Sequence, residues 1–163
     1  MTSPGGVRCA PMPTQFEKGD IFHTEGLHAY GLGCHCAGSM DAGVAVAFKK
    51  RWPRMFEAYQ ARCEAKTFHP GDVLTHREGD EIVYCLAIQE SATKKASVSA
   101  LLKSLKTMAG LATQAGIDRV GLPRIGTGQA GLDWPRVKKT LSEVGNEMAL
   151  TLVVFEQFIR APS

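Results

Sequence analysis

Apolar and polar positions along this 163-residue chain change period in a regular succession. "QFEKGDIF" (15–22) has strand character and contains a short acidic turn at Gly19-Asp20. "HAYGLGCHCA" (28–37) is small and apolar enough for a buried strand. Helical spacing follows in "MDAGVAVAFKKRW" (40–52), with Val44, Ala47 and Phe48 on one face and Asp41 placed to cap. After Pro53, "RMFEAYQARCEA" (54–65) continues helical. "GDVLTHREGDEIVYCLAI" (71–88) reads as a hairpin, Val73 to His76 and Ile82 to Ile88, around Glu78-Gly79-Asp80.

The clearest helix lies in "SVSALLKSLKTMAGLATQAG" (97–116). Val98, Leu101, Leu102, Leu105, Met108, Ala109 and Ala112 form one apolar stripe, and Gly116 ends it. "DRVGLPRI" (118–125) is a strand; Asp133 precedes a helix from Trp134 to about Met148, with Pro135 tolerated in its first turn. "ALTLVVFEQF" (149–158) is the last strand. Strands alternating with amphipathic helices specify an α/β class with a central mixed sheet. Residues 1–14, rich in Pro, Gly, Ser and Thr, read as a flexible tail, and 15–160 as a single domain without internal repeats.

Composition narrows the chemistry. A hydrophobic fraction of 44% and a charged fraction of 21% suit a globular protein that needs neither disulfides nor metal to fold. The formal charge of +3 permits contact with a polyanion without arguing for one. Five cysteines form no regular framework, which fits a reducing cytoplasm. Cys34-His35-Cys36 is not read as a zinc site, because successive strand residues face opposite ways and no second pair completes a tetrahedron. No apolar run approaches a membrane span.

Two loops stand where strands lead into helices, the edge at which α/β sheets bind ligands. One is Ala37-Gly38-Ser39-Met40-Asp41-Ala42-Gly43; the other is Gly126-Thr127-Gly128-Gln129-Ala130-Gly131. Glycine leaves the main chain bare, so several N–H groups can face one anion, and a following helix adds its own unpaired amides. Neither loop is a Walker motif. The second matches G-x-G-x-x-G only in letters, since too little chain follows it for a dinucleotide-binding unit. A glycine-rich turn made for packing is the competing reading of either loop alone; two together suggest a pyrophosphate held from both sides.

The segments "KGDIF", "HCAGSMDAGVAVAFKKRWP" and "LPRIGTGQAGLDW" resemble the macrodomain family over residues 17–156. They look most like its branch of terminal ADP-ribose glycohydrolases and DNA-ADP-ribosyl antitoxin macrodomains. The resemblance implies a three-layer α/β/α fold and a cleft for ADP-ribose. It implies that Asp20 accepts from adenine with the backbone of Ile21 beside it, unless Asp20 is a turn cap. Gly38, Ser39, Gly43 and Val44 would contact the distal ribose and one phosphate. Gly126, Thr127, Gly128, Gln129, Ala130 and Gly131 would wrap the pyrophosphate. Phe155 would pack on adenine or else in the core. The expected partners are ADP-ribose and a mono-ADP-ribosylated protein or nucleic acid, with no cofactor, metal or membrane.

The chain departs from that branch at the chemistry. Where members carry a catalytic Lys, the strand has Thr75 and His76; where some carry an Asp in the second loop, this chain has Gln129-Ala130. Asp133 is close but immediately precedes a helix, which favours a capping role. A covalent lysine mechanism is therefore not expected. His35, Asp41 and His76 are the candidate proton carriers for water attack at C1″ of the distal ribose. Asp41 is either a helix cap or a carboxylate beside that ribose. Two functions stay open: a hydrolase removing ADP-ribose, and a reader that only binds it.

Overall fold

The computed structural model describes residues 14–41, 43–127, 130–148 and 150–159. Its elements are β1 (Gln15–Gly19), a 3-10 turn (Ile21–His23), β2 (Ala29–His35), α1 (Val44–Arg51), α2 (Pro53–Glu64), β3 (Val73–Glu78), β4 (Glu81–Gln89), α3 (Val98–Gln114), β5 (Arg119–Pro123), α4 (Trp134–Met148) and β6 (Thr151–Phe158). Apart from shifts at element ends they follow the periodicity of the sequence, with two changes: "DIF" leaves the first strand for a 3-10 turn, and α1 starts only at Val44. The turn forms because the Asp20 carboxylate accepts the Phe22 amide and so caps it locally. The chain is also anchored one residue before the expected start of order, since Thr14 Oγ1 donates to the Leu141 carbonyl of α4 (3.2 Å). No helix among the described residues is long and apolar enough to cross a membrane.

The strands form one mixed sheet, ordered β1-β6-β5-β2-β4-β3. All pairings are parallel except the β3–β4 hairpin. Side-chain alternation divides the interior in two. Ile82, Tyr84, Leu86 and Ile88 of β4 face α3 and α4, with Leu101, Leu105, Met108, Val137 and Leu141. Val83, Cys85 and Ala87 face α1 and α2, with Phe48, Trp52, Met55 and Tyr59. This is the expected three-layer α/β/α arrangement. Each fully buried Leu or Met contributes about 1.5–3 kcal/mol, so the α3 stripe is a main anchor of its layer. Gly116, with φ +76°, closes α3 while Ile117 N–H returns to the Ala112 carbonyl (2.8 Å).

The topology opens a crevice. β2 sends its chain to α1 and α2 on one face. Its neighbours β4 and β5 send theirs to α3 and α4 on the other. Connections that part to opposite faces leave a gap at the carboxyl ends of adjacent strands.

Glycine on β2 keeps the α3 layer close. A Cβ on Gly31 would sit 2.4 Å from Leu122 Cδ2 and 3.1 Å from Met108 Sδ. Gly31→Ala is expected to lower the unfolding free energy by about 1–3 kcal/mol through overpacking. Urea denaturation checks this, and an unchanged midpoint would refute the close fit.

Candidate functional site

The two glycine loops line one cavity of about 660 Å³. Ser39, Met40, Asp41, Gly43, Val44 and Ala45 form one wall; Arg124, Ile125, Gly126, Thr127 and Ala130 form the other. The floor is the ends of β2, β4 and β5. That volume lies within the range of about 300–1,000 Å³ common for small-ligand sites. Gly128 and Gln129 lie outside the described residues.

The first wall has an inward and an outward half. Its early amides are turned into protein: Cys36 N–H donates to the Glu90 carbonyl (3.2 Å), Ala37 N–H to His35 Nδ1 (3.0 Å) and Gly38 N–H to the Tyr59 hydroxyl (3.3 Å). Gly38, expected in the ligand cradle, is thus part of its support, and it does not line the cavity. The outward half is the start of α1. Val46 N–H returns to the Gly43 carbonyl (3.2 Å), whereas the amides of Val44 and Ala45 meet no backbone acceptor among the described residues. They carry the positive end of the helix to the cavity. Gly43 precedes them at φ 61°, ψ −144°, a conformation open essentially to glycine alone. A Cβ there would meet nothing within 4 Å, so backbone conformation and not space requires the glycine.

The second wall is braced from outside. Leu132 N–H donates to the Gly126 carbonyl (2.8 Å), Ala130 N–H to Thr127 (3.3 Å) and Ala96 N–H to Ala130 (2.8 Å). The last bond ties the loop to residues 90–97. Gln89 organises that segment by donating to the carbonyls of Ser91 (2.9 Å) and Lys94 (2.6 Å). Gly131 lies off the cavity, with Lys95 Cγ 3.3 Å from where its Cβ would stand. Asp133 is exposed, and its carbonyl accepts Val137 N–H (3.0 Å) as α4 begins. Trp134 Nε1 donates to Glu156 (3.0 Å), and its ring lies 4.9 Å from the Arg124 guanidinium carbon. Arg124 brings a cation to the mouth of the second loop.

The three candidate proton carriers separate. His35 and Asp41 line the cavity; His76 does not. The register sets His76 beside Val83 and thus level with Tyr30, five strand positions before His35, on the edge strand, where it meets Glu78 (3.1 Å). Asp41 is not the α1 cap: the helix begins at Val44 with Gly43 in the capping position. The Asp41 carboxylate is exposed, 3.8 Å from Lys49 Nζ, and is the one carboxylate among the described residues lining the cavity. A register shift between Cys34 and His35 breaks the strand alternation, and His35 meets Tyr59 of α2. Burial lowers the His35 pKa from its ordinary value, an effect that Asp41 opposes. Burial also pushes the Cys36 thiol up to about 11, which keeps it protonated and inert near neutrality.

The end expected to hold adenine lies on the same sheet edge, beyond the cavity. Asp20 accepts Phe22 N–H (2.9 Å) and lies 2.9 Å from His23 Nδ1. The Ile21 side chain and the Phe155 ring are core residues; Phe155 is 4% exposed. Phe158, three residues on, is 42% exposed and edge-on to Phe22 (6.2 Å), so the accessible aromatic here is Phe158.

Sequence reasoning passed over Tyr59, Gln89 and Arg124. Arg124 stands within the quoted "LPRIG", and Gln89 is the polar end of an otherwise apolar strand; Tyr59 left no local signal. The Tyr59 hydroxyl accepts Gly38 N–H and donates to the His35 carbonyl (2.8 Å), with the Ser39 carbonyl at 3.2 Å. Tyr59→Phe is expected to cost about 1–3 kcal/mol by leaving buried backbone groups unpaired. Chemical denaturation reads the loss, and a neutral result would remove the hydroxyl from this role.

Comparison with known proteins follows the geometry. The family model described as Macro domain matches residues 33–141. The human protein named ADP-ribose glycohydrolase OARD1 is 28% identical over 144 residues, covering 86% of this chain and 89% of that protein. The DNA ADP-ribosyl glycohydrolase of Mycobacterium tuberculosis is 25% identical over 111 residues, 66% of this chain and 32% of that one. The solved macrodomain of Mycobacterium tuberculosis DarG superposes with a TM-score of 0.79 at 22% identity, covering 92% of this chain and 99% of that one.

Proposed function

The chain belongs to the macro domain family, and from that premise we infer that it binds ADP-ribose and hydrolyses its bond to a modified macromolecule. One observation carries this reading: two loops from adjacent strands line a single cavity, and at its edge the first amides of α1 meet no backbone acceptor among the described residues. Such a site suits a diphosphate, because several fixed dipoles converge without needing to reorganise. Arg124 adds a full positive charge on the second-loop side. We assign adenine to the far end of the same edge, a reading supported by the exposed Phe158 ring beside Phe22. The similarity to proteins named ADP-ribose glycohydrolase and DNA ADP-ribosyl glycohydrolase favours hydrolysis over simple binding.

Without a lysine at the family position, the chemistry falls to groups at the first loop. The bond from C1″ to the target's oxygen or nitrogen breaks through an oxocarbenium-like state, its electron pair leaving on the target atom, which takes up a proton from solvent where it needs one, while water attacks the carbon. Asp41 is the carboxylate available to take the proton of that water. It is exposed and stands 3.8 Å from Lys49 Nζ, so its oxygens stay open toward a water in the cavity. The amides of Val44 and Ala45 hold the phosphate, and so the distal ribose, against this carboxylate.

Titration calorimetry with ADP-ribose is expected to show binding, and Gly43→Val to weaken it by tenfold or more with the fold retained. Absence of heat at millimolar ligand would overturn the binding assignment. Asp41→Ala is expected to lower release of ADP-ribose from Glu-linked protein or from modified DNA by about 10²-fold, in the range of general-base contributions, with Kd changed little. Tight binding by the parent protein with no release from either substrate would establish a reader instead.

A further inference from the structure

The ring of His35 is held at both nitrogens, and the two contacts differ in kind. Ala37 N–H is an obligatory donor, 3.0 Å from Nδ1. Nδ1 must therefore keep its lone pair, and the proton of the neutral imidazole resides on Nε2. Nε2 lies 3.1 Å from Ser39 Oγ. With N–H on that side, the serine oxygen is the acceptor. Its own hydroxyl proton is then turned away from the histidine. Both residues line the cavity.

We propose that His35 is a positioning residue that makes Ser39 a dedicated hydrogen-bond donor to an acceptor oxygen of the ligand, and is not itself the proton carrier. The assignment of that ligand as ADP-ribose rests on the function inferred above; the His35–Ser39 polarity does not. A general base needs a lone pair at the nitrogen facing the substrate side, and here that nitrogen carries the proton. The one lone pair on the ring is consumed by the backbone of the same loop. Nor is Ser39 a nucleophile, because a hydroxyl that accepts from an N–H has no base to receive its proton.

The surroundings hold this arrangement. Tyr59 on α2 faces the ring, its hydroxyl 3.4 Å from Nδ1, but its single proton goes to the nearer His35 carbonyl at 2.8 Å. Burial raises the Tyr59 pKa far above its ordinary value, so it stays neutral. Gln89, the uncharged register partner on β4, adds no charge. The charged group acting on the ring is Asp41, which opposes the lowering of the His35 pKa by burial without cancelling it. Protonating Nδ1 would set two donors against each other at Ala37. The arrangement is thus complete above the ordinary histidine pKa of about 6.5 and is lost as pH falls through the lower folded value.

Nitrogen-15 NMR of the free protein tests the polarity without any ligand, with the His35 signals assigned by their loss in His35→Gln. The expected result near pH 8 is an unprotonated Nδ1 and a protonated Nε2, with a midpoint below that of an exposed histidine. A protonated Nδ1 at that pH would overturn the proposal. Affinity for ADP-ribose supplies the second reading. Ser39→Ala and His35→Ala are each expected to weaken it about tenfold, the scale of one hydrogen bond. His35→Gln keeps an N–H near the Nε2 position and should recover several-fold over His35→Ala, with the acid-side loss of affinity abolished. A glutamine variant as impaired as alanine would also overturn it. The expected tautomer with no ADP-ribose binding in the parent protein would instead reject the ligand assignment and leave the polarity standing.

Discussion

The Tyr59 hydroxyl, at the buried junction of α2 and the end of β2, is the point on which the ligand-facing turn depends. One oxygen accepts Gly38 N–H and donates its single proton to the His35 carbonyl, with the Ser39 carbonyl 3.2 Å away. His35 ends β2, and Gly38 and Ser39 lie in the turn that follows, outside the sheet ladder and the helices. Leaving them unpaired beneath α2 would be expensive, each by about 1–3 kcal/mol. The phenol satisfies them from outside the turn, and so fixes which amides point inward and which are left for a ligand.

That division gives the two glycine loops different physical roles. In the first, Gly43 takes a backbone conformation denied to other residues and releases the start of α1 toward the cavity. In the second, a Cβ on Gly126 would stand 2.9 Å from Leu132 Cδ1, so this glycine also admits the leucine behind the loop. Packing and ligand binding are therefore not alternative explanations of the second loop. The hydrogen bond from Ala96 to Ala130 then braces it against the segment leading to α3. Both walls are supported by residues that do not line the cavity, Tyr59 and Ala96, which is what a preorganised anion site requires.

Charge at the site is sparse and local. Asp41 is balanced by Lys49, and Arg124 lies across the cavity against Trp134. His35 contributes direction and not charge, since its lone pair is turned to the backbone. A carboxylate lining the cavity with a neutral donor beside it is chemically different from a lysine. The mechanism we propose assigns proton removal from water to Asp41 and orientation of the ligand to Ser39.

The sequence alone determined the layered α/β fold, the position of nearly every element and the two loops, because these follow from short-range periodicity and from residues whose backbone preferences are local. The α3 stripe and Gly116 are legible without any partner. The placements of Asp41, His76, Gly38 and Phe155 were not legible, since each depends on what a distant segment brings near. Asp41 could be a cap or a cavity carboxylate until the helix began at Val44 with Gly43 as its cap; His76 stood where the family carries a lysine but lies on an antiparallel edge strand; Gly38 appeared available until α2 delivered Tyr59. Only the tertiary structure decided these, for the physical reason that hydrogen-bond direction and strand register are set by contacts across tens of residues, whereas helical and strand periods are written within a few.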